Sequence, residues 1–279
     1  MQSIRMIAMD LDGTLLTDDK RLTDRNLAAL ERAAAAGIAV VPATGRIYAG
    51  LPEIIRGCPF IRYMILANGA TVYDGETETV LYRAEISKEM ALEVMSRLDG
   101  YPVIYDCYQD GKGWMTAEMW NRAELYAPSP FYLQHIRTLR KPVPDLKEHI
   151  RTTGKSVQKI QAFCRTTETQ AQVLEGIRRS FPELAVTSSV ARNVEINDGR
   201  AKKGAGLAAL AEHLGIALSE TIAFGDGTND LSMIKTAGTG VAMGNAVPAV
   251  LEAADCITET NNDDGVGRMI ERMLDEKRN

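Results

Sequence analysis

The chain has 279 residues, of which 45% are hydrophobic and 25% charged, with a formal net charge of −5. That length allows one large or two modest domains with a substantial core, and the charge balance favours neither nucleic acid nor an anionic membrane as partner. No stretch approaches the roughly 20 apolar residues of a membrane span. The four scattered cysteines, Cys58, Cys107, Cys164 and Cys256, contain no Cys-x-x-Cys, which excludes a disulfide framework or a zinc ribbon. With no charged-then-apolar leader ahead of the first strand, a cytoplasmic location is expected.

Taken in order, Ile4 to Met9 reads as a buried strand. Leu22 to Ala36 reads as a helix, with Thr23 as N-cap and Gly37 as stop. Ile38 to Val41 and Tyr63 to Leu66 are further strands, and this βαβ rhythm argues for parallel pairing. Asn68-Gly69 and Asp74-Gly75 mark tight turns. From about Ala84 the texture changes. A helix at Ser87 to Leu98 precedes a strand at Tyr101 to Tyr108, which can pair with Lys112 to Thr116 across Asp110-Gly111. A Pro-rich aromatic stretch follows, Tyr126 to Pro144. Then come a strand at Lys159 to Cys164, a helix at Glu168 to Ser180, and strands near Ala185 to Ser188 and Asn193 to Ile196. The α/β rhythm resumes with a helix at Lys203 to Leu214. The expected architecture is a doubly wound, parallel-sheet α/β core of residues 1–83 and 192–279, with an α+β insertion of residues 84–191 as a cap over the active site.

The chemistry concentrates at two strand ends. Met6 to Thr14 is an apolar run that stops at Asp10-Leu11-Asp12-Gly13-Thr14, and Thr221 to Asp230 repeats the pattern with Gly225-Asp226-Gly227-Thr228-Asn229-Asp230. In open parallel sheets ligands bind beyond the carboxyl ends of the strands, and two acidic tips side by side make an all-oxygen site suited to Mg2+. A strand-tip carboxylate can attack phosphorus and divide a difficult hydrolysis into two easier steps. Asp12, two residues on, can protonate the leaving oxygen and then deprotonate the attacking water. After the second strand, the Thr44 hydroxyl and the Gly45 N–H make a neutral phosphate cradle. A lysine opening the later helix can neutralise Asp10 and phosphate, and Lys202 and Lys203 both offer one. Arg46 can meet phosphate or pair with an acid on the core surface.

These segments, with Ala43 to Arg46, Asn68-Gly69-Ala70, Lys203-Gly204 and Val241 to Ala246, occur in an order that resembles the haloacid dehalogenase-like hydrolase superfamily, and within it the Cof-type sugar-phosphatase branch. The resemblance implies a Mg2+-dependent phosphatase acting on a small phosphorylated metabolite through an aspartyl-phosphate. It assigns Asp10 as nucleophile and metal ligand, the Asp12 carbonyl and Asp226 as further ligands, and Asp12 as acid and base. Phosphate falls to the Leu11 and Gly45 amides, Thr44, Lys203 and Asn229. Of the two lysines, the one directly before glycine, Lys203, matches the family pattern. Asp230 orients metal-bound water or Lys203, its place inside or outside the ligand shell being open. Rival readings are a phosphomutase on the same fold and a non-catalytic phospholigand sensor. The sequence carries no signal for oligomeric state.

Other signals are weaker. Gly154-Lys155-Ser156 resembles the end of a P-loop, but residue 149 is His and no strand precedes it. His135, His149 and His213 lie far from the motifs. Trp114, Trp120, Tyr105 and Tyr108 can line a sugar-binding face or belong to the core, and Lys155, Lys159 and Arg165 are the basic groups the insertion offers a substrate.

Overall fold

The computed structural model describes residues 4–188 and 191–276; residues 1–3, 189–190 and 277–279, which fall inside the expected core and insertion, lie outside the described residues. In chain order the strands are β1 (Met6–Met9), β2 (Ala39–Pro42), β3 (Tyr63–Leu66), β4 (Thr71–Asp74), β5 (Thr79–Arg83), β6 (Val103–Gln109) and β7 (Lys112–Thr116). They continue as β8 (Arg140–Val143), β9 (Lys159–Cys164), β10 (Leu184–Thr187), β11 (Asn193–Asp198), β12 (Thr221–Gly225), β13 (Thr239–Ala242) and β14 (Cys256–Ile257). The chain divides into two compact units: Met1–Gly45, Leu51–Arg83 and Lys202–Asn279 form one, Arg46–Gly50 and Ala84–Ala201 the other.

The first unit is a Rossmann-like core. Its main sheet runs β14-β13-β12-β1-β2, every pair parallel. Met6 and Ala8 bury against Leu207, Leu210 and Met233, which lie on the helices Lys203–Leu214 and Leu231–Thr236. The helices Asp24–Ala35 and Gly265–Glu276 pack on each other on the opposite side. Thr23 caps the first of these, its hydroxyl accepting from the Asn26 amide at 3.2 Å. Register carries the function: Met9 stands opposite both Phe224 and Pro42, so Asp10, Asp226 and Thr44 emerge at neighbouring strand tips.

The third strand is parallel to β2, as expected, but pairs with it only briefly. It meets the end of β2 through one parallel bridge, Ala43 to Ile65, and then leads an antiparallel meander β3-β4-β5. Ala67 and Asn68 adopt left-handed φ of 50° and 61°, which reverses the chain in a short turn where a parallel crossover needs a dozen residues or more.

On this meander Arg62 grips Asp74 at 2.8 Å and, against the opposing effect of burial, holds its carboxyl down at about 2; the amides of Glu76 and Thr77 assist. Asp74→Asn is expected to cost about 1 kcal/mol at neutral pH, a figure reduced because the guanidinium is largely in solvent. A depressed carboxyl stabilises above its ordinary value, so the deficit should be complete above about pH 4 and vanish as pH falls through 2. Unfolding midpoints of both proteins between pH 2 and 7 test this.

The second unit carries a six-stranded sheet, β10-β11-β9-β6-β7-β8, antiparallel except between β7 and β8. One face is apolar, with Tyr105, Cys107, Ile160 and Ala162 packed among residues of the helices Lys88–Leu98 and Thr167–Ser180. The other face carries an apolar cluster of Ile104, Met115 and Phe163 with Tyr126 and Ile136, and a buried polar group in which Arg140 bonds Asp106 at 2.7 Å and Gln161 at 2.9 Å and Lys159 faces Glu195 at 3.4 Å. Because β11 pairs with β9 and β10, the chain stays in this unit until Ala201, rather than leaving it near residue 191.

Besides the short Ala117–Asn121 turn of helix, two longer helices of this unit carry no clear signal in the sequence. Pro130–Leu139 lies inside the Pro-rich stretch, its proline tolerated in the first turn behind the Ser129 cap. Leu146–Thr153 begins at Asp145 and ends at Gly154, whose φ of 67° is a helix stop. Gly154-Lys155-Ser156 is therefore a C-terminal turn and not a phosphate loop. Among the described residues no helix is long and apolar enough to cross a membrane.

Candidate active site

The site grows from the tips of β1, β2 and β12. Asp10 continues the β1 ladder, its amide donating to Phe224 O at 3.1 Å, and is nearly buried. Lys203, at the first position of its helix and fully buried, extends its ammonium between two carboxylates, at 2.7 Å from Asp10 Oδ1 and 2.6 Å from Asp230 Oδ1. Lys202 is exposed, so burial selects Lys203 from the adjacent pair. The close seating of this helix depends on Gly69, at φ 94°, where a Cβ would run into the Lys202 backbone.

Asp230 also accepts through its other oxygen, from the amides of Asp226 and Gly227 at 3.0 and 2.9 Å. Its oxygens are thus engaged in holding the β12 tip and the lysine. Asp226 accepts from the Thr14 hydroxyl at 2.7 Å. Gly13, at φ 89°, passes so near that a Cβ would strike the Asp226 carboxylate.

Asp10, Asp226 and Asp230 each present an oxygen within 4.8 Å of the others. The Asp12 carboxyl stands outside this trio, half-exposed, and pairs with Lys20 at 2.9 Å. Leu11 is buried, its carbonyl accepting from the Leu16 amide at 2.8 Å.

Electrostatics follow from burial. Desolvation pushes the Asp10 carboxyl up to about 8, with Lys203 opposing and Asp230 and Asp12 adding to the rise. Burial likewise lifts Asp226 to about 6. Burial alone would lower Lys203, but the Asp10 and Asp230 carboxylates outweigh it and keep the ammonium charged. One ammonium therefore serves three clustered acidic groups, Asp10 and Asp230 buried and Asp226 partly exposed. The donors are all hard oxygens and the charge is in deficit, which fits a small divalent cation such as Mg2+.

Beside the acids is a neutral, hydrogen-bonding corner. Thr44 is buried at the tip of β2, where its amide donates to Ile65 O at 2.8 Å. Gly45 lies so near Asn68 that a Cβ would stand 2.8 Å from its Oδ1, and Asn229 Nδ2 reaches the same atom at 3.4 Å. In the sequence Asn68 is marked only by the turn at Asn68-Gly69 and by the Asn68-Gly69-Ala70 segment. Arg46 belongs to the second unit and donates to Gly50 O at 2.9 Å. Elsewhere in that unit Tyr105 and Tyr108 are buried, while Trp114 stacks on His149 and Trp120 lies under Arg137. Lys155 pairs with Asp110 on the surface.

Strand-tip carboxylates, a buried lysine and a doubly wound core with an α+β insertion define a Rossmann-like α/β protein with an acidic, cation-compatible centre. Residues 7–270 match the haloacid dehalogenase-like hydrolase family model, and the chain belongs to that family. It is 30% identical over 271 residues to the 5-amino-6-(5-phospho-D-ribitylamino)uracil phosphatase YcsE of Bacillus subtilis, covering 97% of this chain and 96% of that one. A solved haloacid dehalogenase-like hydrolase of Bacteroides thetaiotaomicron superposes with a TM-score of 0.81 at 28% identity, over 97% of this chain and all of the other. A second solved structure, the subclass IIB sugar phosphatase BT4131, gives a TM-score of 0.78 at 28% identity, over 96% and 98% of the two chains.

Proposed function

We propose that this protein is a Mg2+-dependent phosphatase of a small phosphomonoester, a sugar or polyol phosphate or a similar metabolite, working through an aspartyl-phosphate on Asp10. The observation that carries the reading is the buried Asp10–Lys203–Asp230 arrangement beside Asp226 at adjoining strand tips. The names of the B. subtilis relative and of BT4131, one acting on a phosphorylated ribityl compound and one on sugar phosphates, support the substrate class.

In this reading the Asp10 carboxylate attacks phosphorus while the bond to the ester oxygen breaks, and that oxygen takes a proton from Asp12. Water then attacks phosphorus, Asp12 takes its proton, and the bond to Asp10 breaks to release phosphate. Lys203 offsets the charge of Asp10 as the phosphate dianion approaches. The Leu11 and Gly45 amides, Thr44 and Asn229 hold the phosphate oxygens. Mg2+, held by Asp10, Asp226 and the Asp12 carbonyl, supplies the further positive charge that the carboxylates leave unmatched. Asp230, its oxygens committed to Lys203 and to two backbone amides, acts by orienting these groups and not as a ligand. The four free cysteines, three of them buried, are consistent with a reducing, cytoplasmic setting.

Phosphate release from a panel of phosphorylated metabolites tests the reading. Release should stop in excess chelator and return with added Mg2+. Undiminished turnover in chelator would remove the metal from the scheme. Isomerised ester in place of free phosphate would favour a mutase, and no turnover of any ester would favour a sensor.

A further inference from the structure

The acid/base residue of this scheme has a partner that no step above uses. Asp12 Oδ1 lies 2.9 Å from the ammonium of Lys20. An ion pair between two mobile surface side chains contributes little. Here the backbone that carries the lysine is fastened at several points.

The residues after Asp12 form a tight hairpin. Thr17 N donates to Arg21 O at 3.0 Å, Lys20 N to Thr17 O at 2.8 Å, and Arg21 N to the Thr17 hydroxyl at 3.2 Å. Lys20 itself adopts a left-handed φ of 60°. Three asparagines from the far end of the chain tie this hairpin down. Buried Asn261 donates through Nδ2 to Leu16 O and to Asp18 Oδ1, both at 3.0 Å. Its amide donates to Asn245 Oδ1 at 3.0 Å, and Asn245 Nδ2 donates to Gly13 O at 2.8 Å. Asn262 adds two bonds to Asp18, at 2.9 and 3.1 Å. The hairpin is thus held at Gly13, Leu16 and Asp18, before, within and at its tip. Asn245 belongs to the Val241 to Ala246 segment.

We infer that Lys20 is a positioning residue for Asp12: the clamped hairpin delivers its ammonium to one oxygen of the carboxyl and so sets where the acid/base group stands. The inference rests on the phosphatase reading. A general acid must come within about 2.6–3.2 Å of the oxygen it serves, and a misplacement of about 1 Å can cost on the order of a hundredfold in rate. The demand is greatest where the leaving alkoxide needs its proton, and small where the leaving group is already stable as an anion.

The test uses Lys20→Met, which keeps most of the stem and removes the charge, and Lys20→Arg, which restores it. With a sugar phosphate, Lys20→Met should lower kcat about tenfold at unchanged KM, and with an activated aryl phosphate by less than about twofold. Lys20→Arg should recover most of the loss. In an Asp12→Asn background Lys20→Met should change kcat less than about twofold, because the group it positions no longer functions. A rise in KM at constant kcat would make Lys20 a substrate contact and overturn the inference. So would equal losses on both esters, or an unchanged tenfold effect in the Asp12→Asn background. Wild-type turnover with an unaffected Lys20→Met removes this inference alone, whereas a wild type inactive on every ester removes the phosphatase reading and the inference together.

Discussion

Asp10→Asn is expected to abolish turnover, by about 10⁴-fold or more, and to leave no trapped phosphoenzyme. The amide oxygen is a poor nucleophile, and no neighbour replaces it: Asp226 is engaged by Thr14, and Asp230 by Lys203 and two backbone amides. The substitution is nearly isosteric and removes one of three carboxylates that share a single ammonium. Its melting temperature in metal-free buffer should therefore not fall, which separates loss of chemistry from loss of fold. Rapid quenching with a labelled ester, read alongside thermal melts, checks both halves. Phosphate that remains covalently attached to Asp10→Asn would move the nucleophile elsewhere.

Lys203→Met should produce the largest loss of stability of any single change at the site, about 3–5 kcal/mol, together with a rate loss of about 10²–10³. Lys203 is fully buried and lies within 2.7 Å of both Asp10 and Asp230. Methionine fills the space but leaves two carboxylates facing each other without a counter-ion. The remedy is specific. Adding Asp230→Asn removes one of the opposed charges and should return part of the stability without returning activity, since Asp10 still lacks its neutralising partner. Chemical denaturation of the two single variants and the double variant measures the coupling. Strictly additive losses would mean that Lys203 and Asp230 do not interact as drawn.

Much of the architecture was legible in the chain. The Lys203–Leu214 and Lys159–Cys164 segments have the ends expected from the sequence, and the Thr23 cap opens its helix. These features depend on local periodicity and on short-range capping. The misreadings have a common origin. The Pro130–Leu139 helix hides behind a proline that a first turn tolerates. β11 was cut short because its membership of the second sheet depends on pairing with β9 and β10, which no local pattern states.

By itself the sequence determined the family, the order of the acidic strand ends, and the chemical types available to them: carboxylates, a lysine, a threonine and glycines. It could not decide that both oxygens of Asp230 are already engaged, that Asn68 meets Asn229, or that Lys20 reaches Asp12. Tertiary structure decided these. The Lys203–Asp10 contact spans 193 residues and the Asn245–Gly13 contact 232. Each is made only because β1 and β12 lie side by side with Met9 opposite Phe224, a register that sheet packing sets and residue spacing does not.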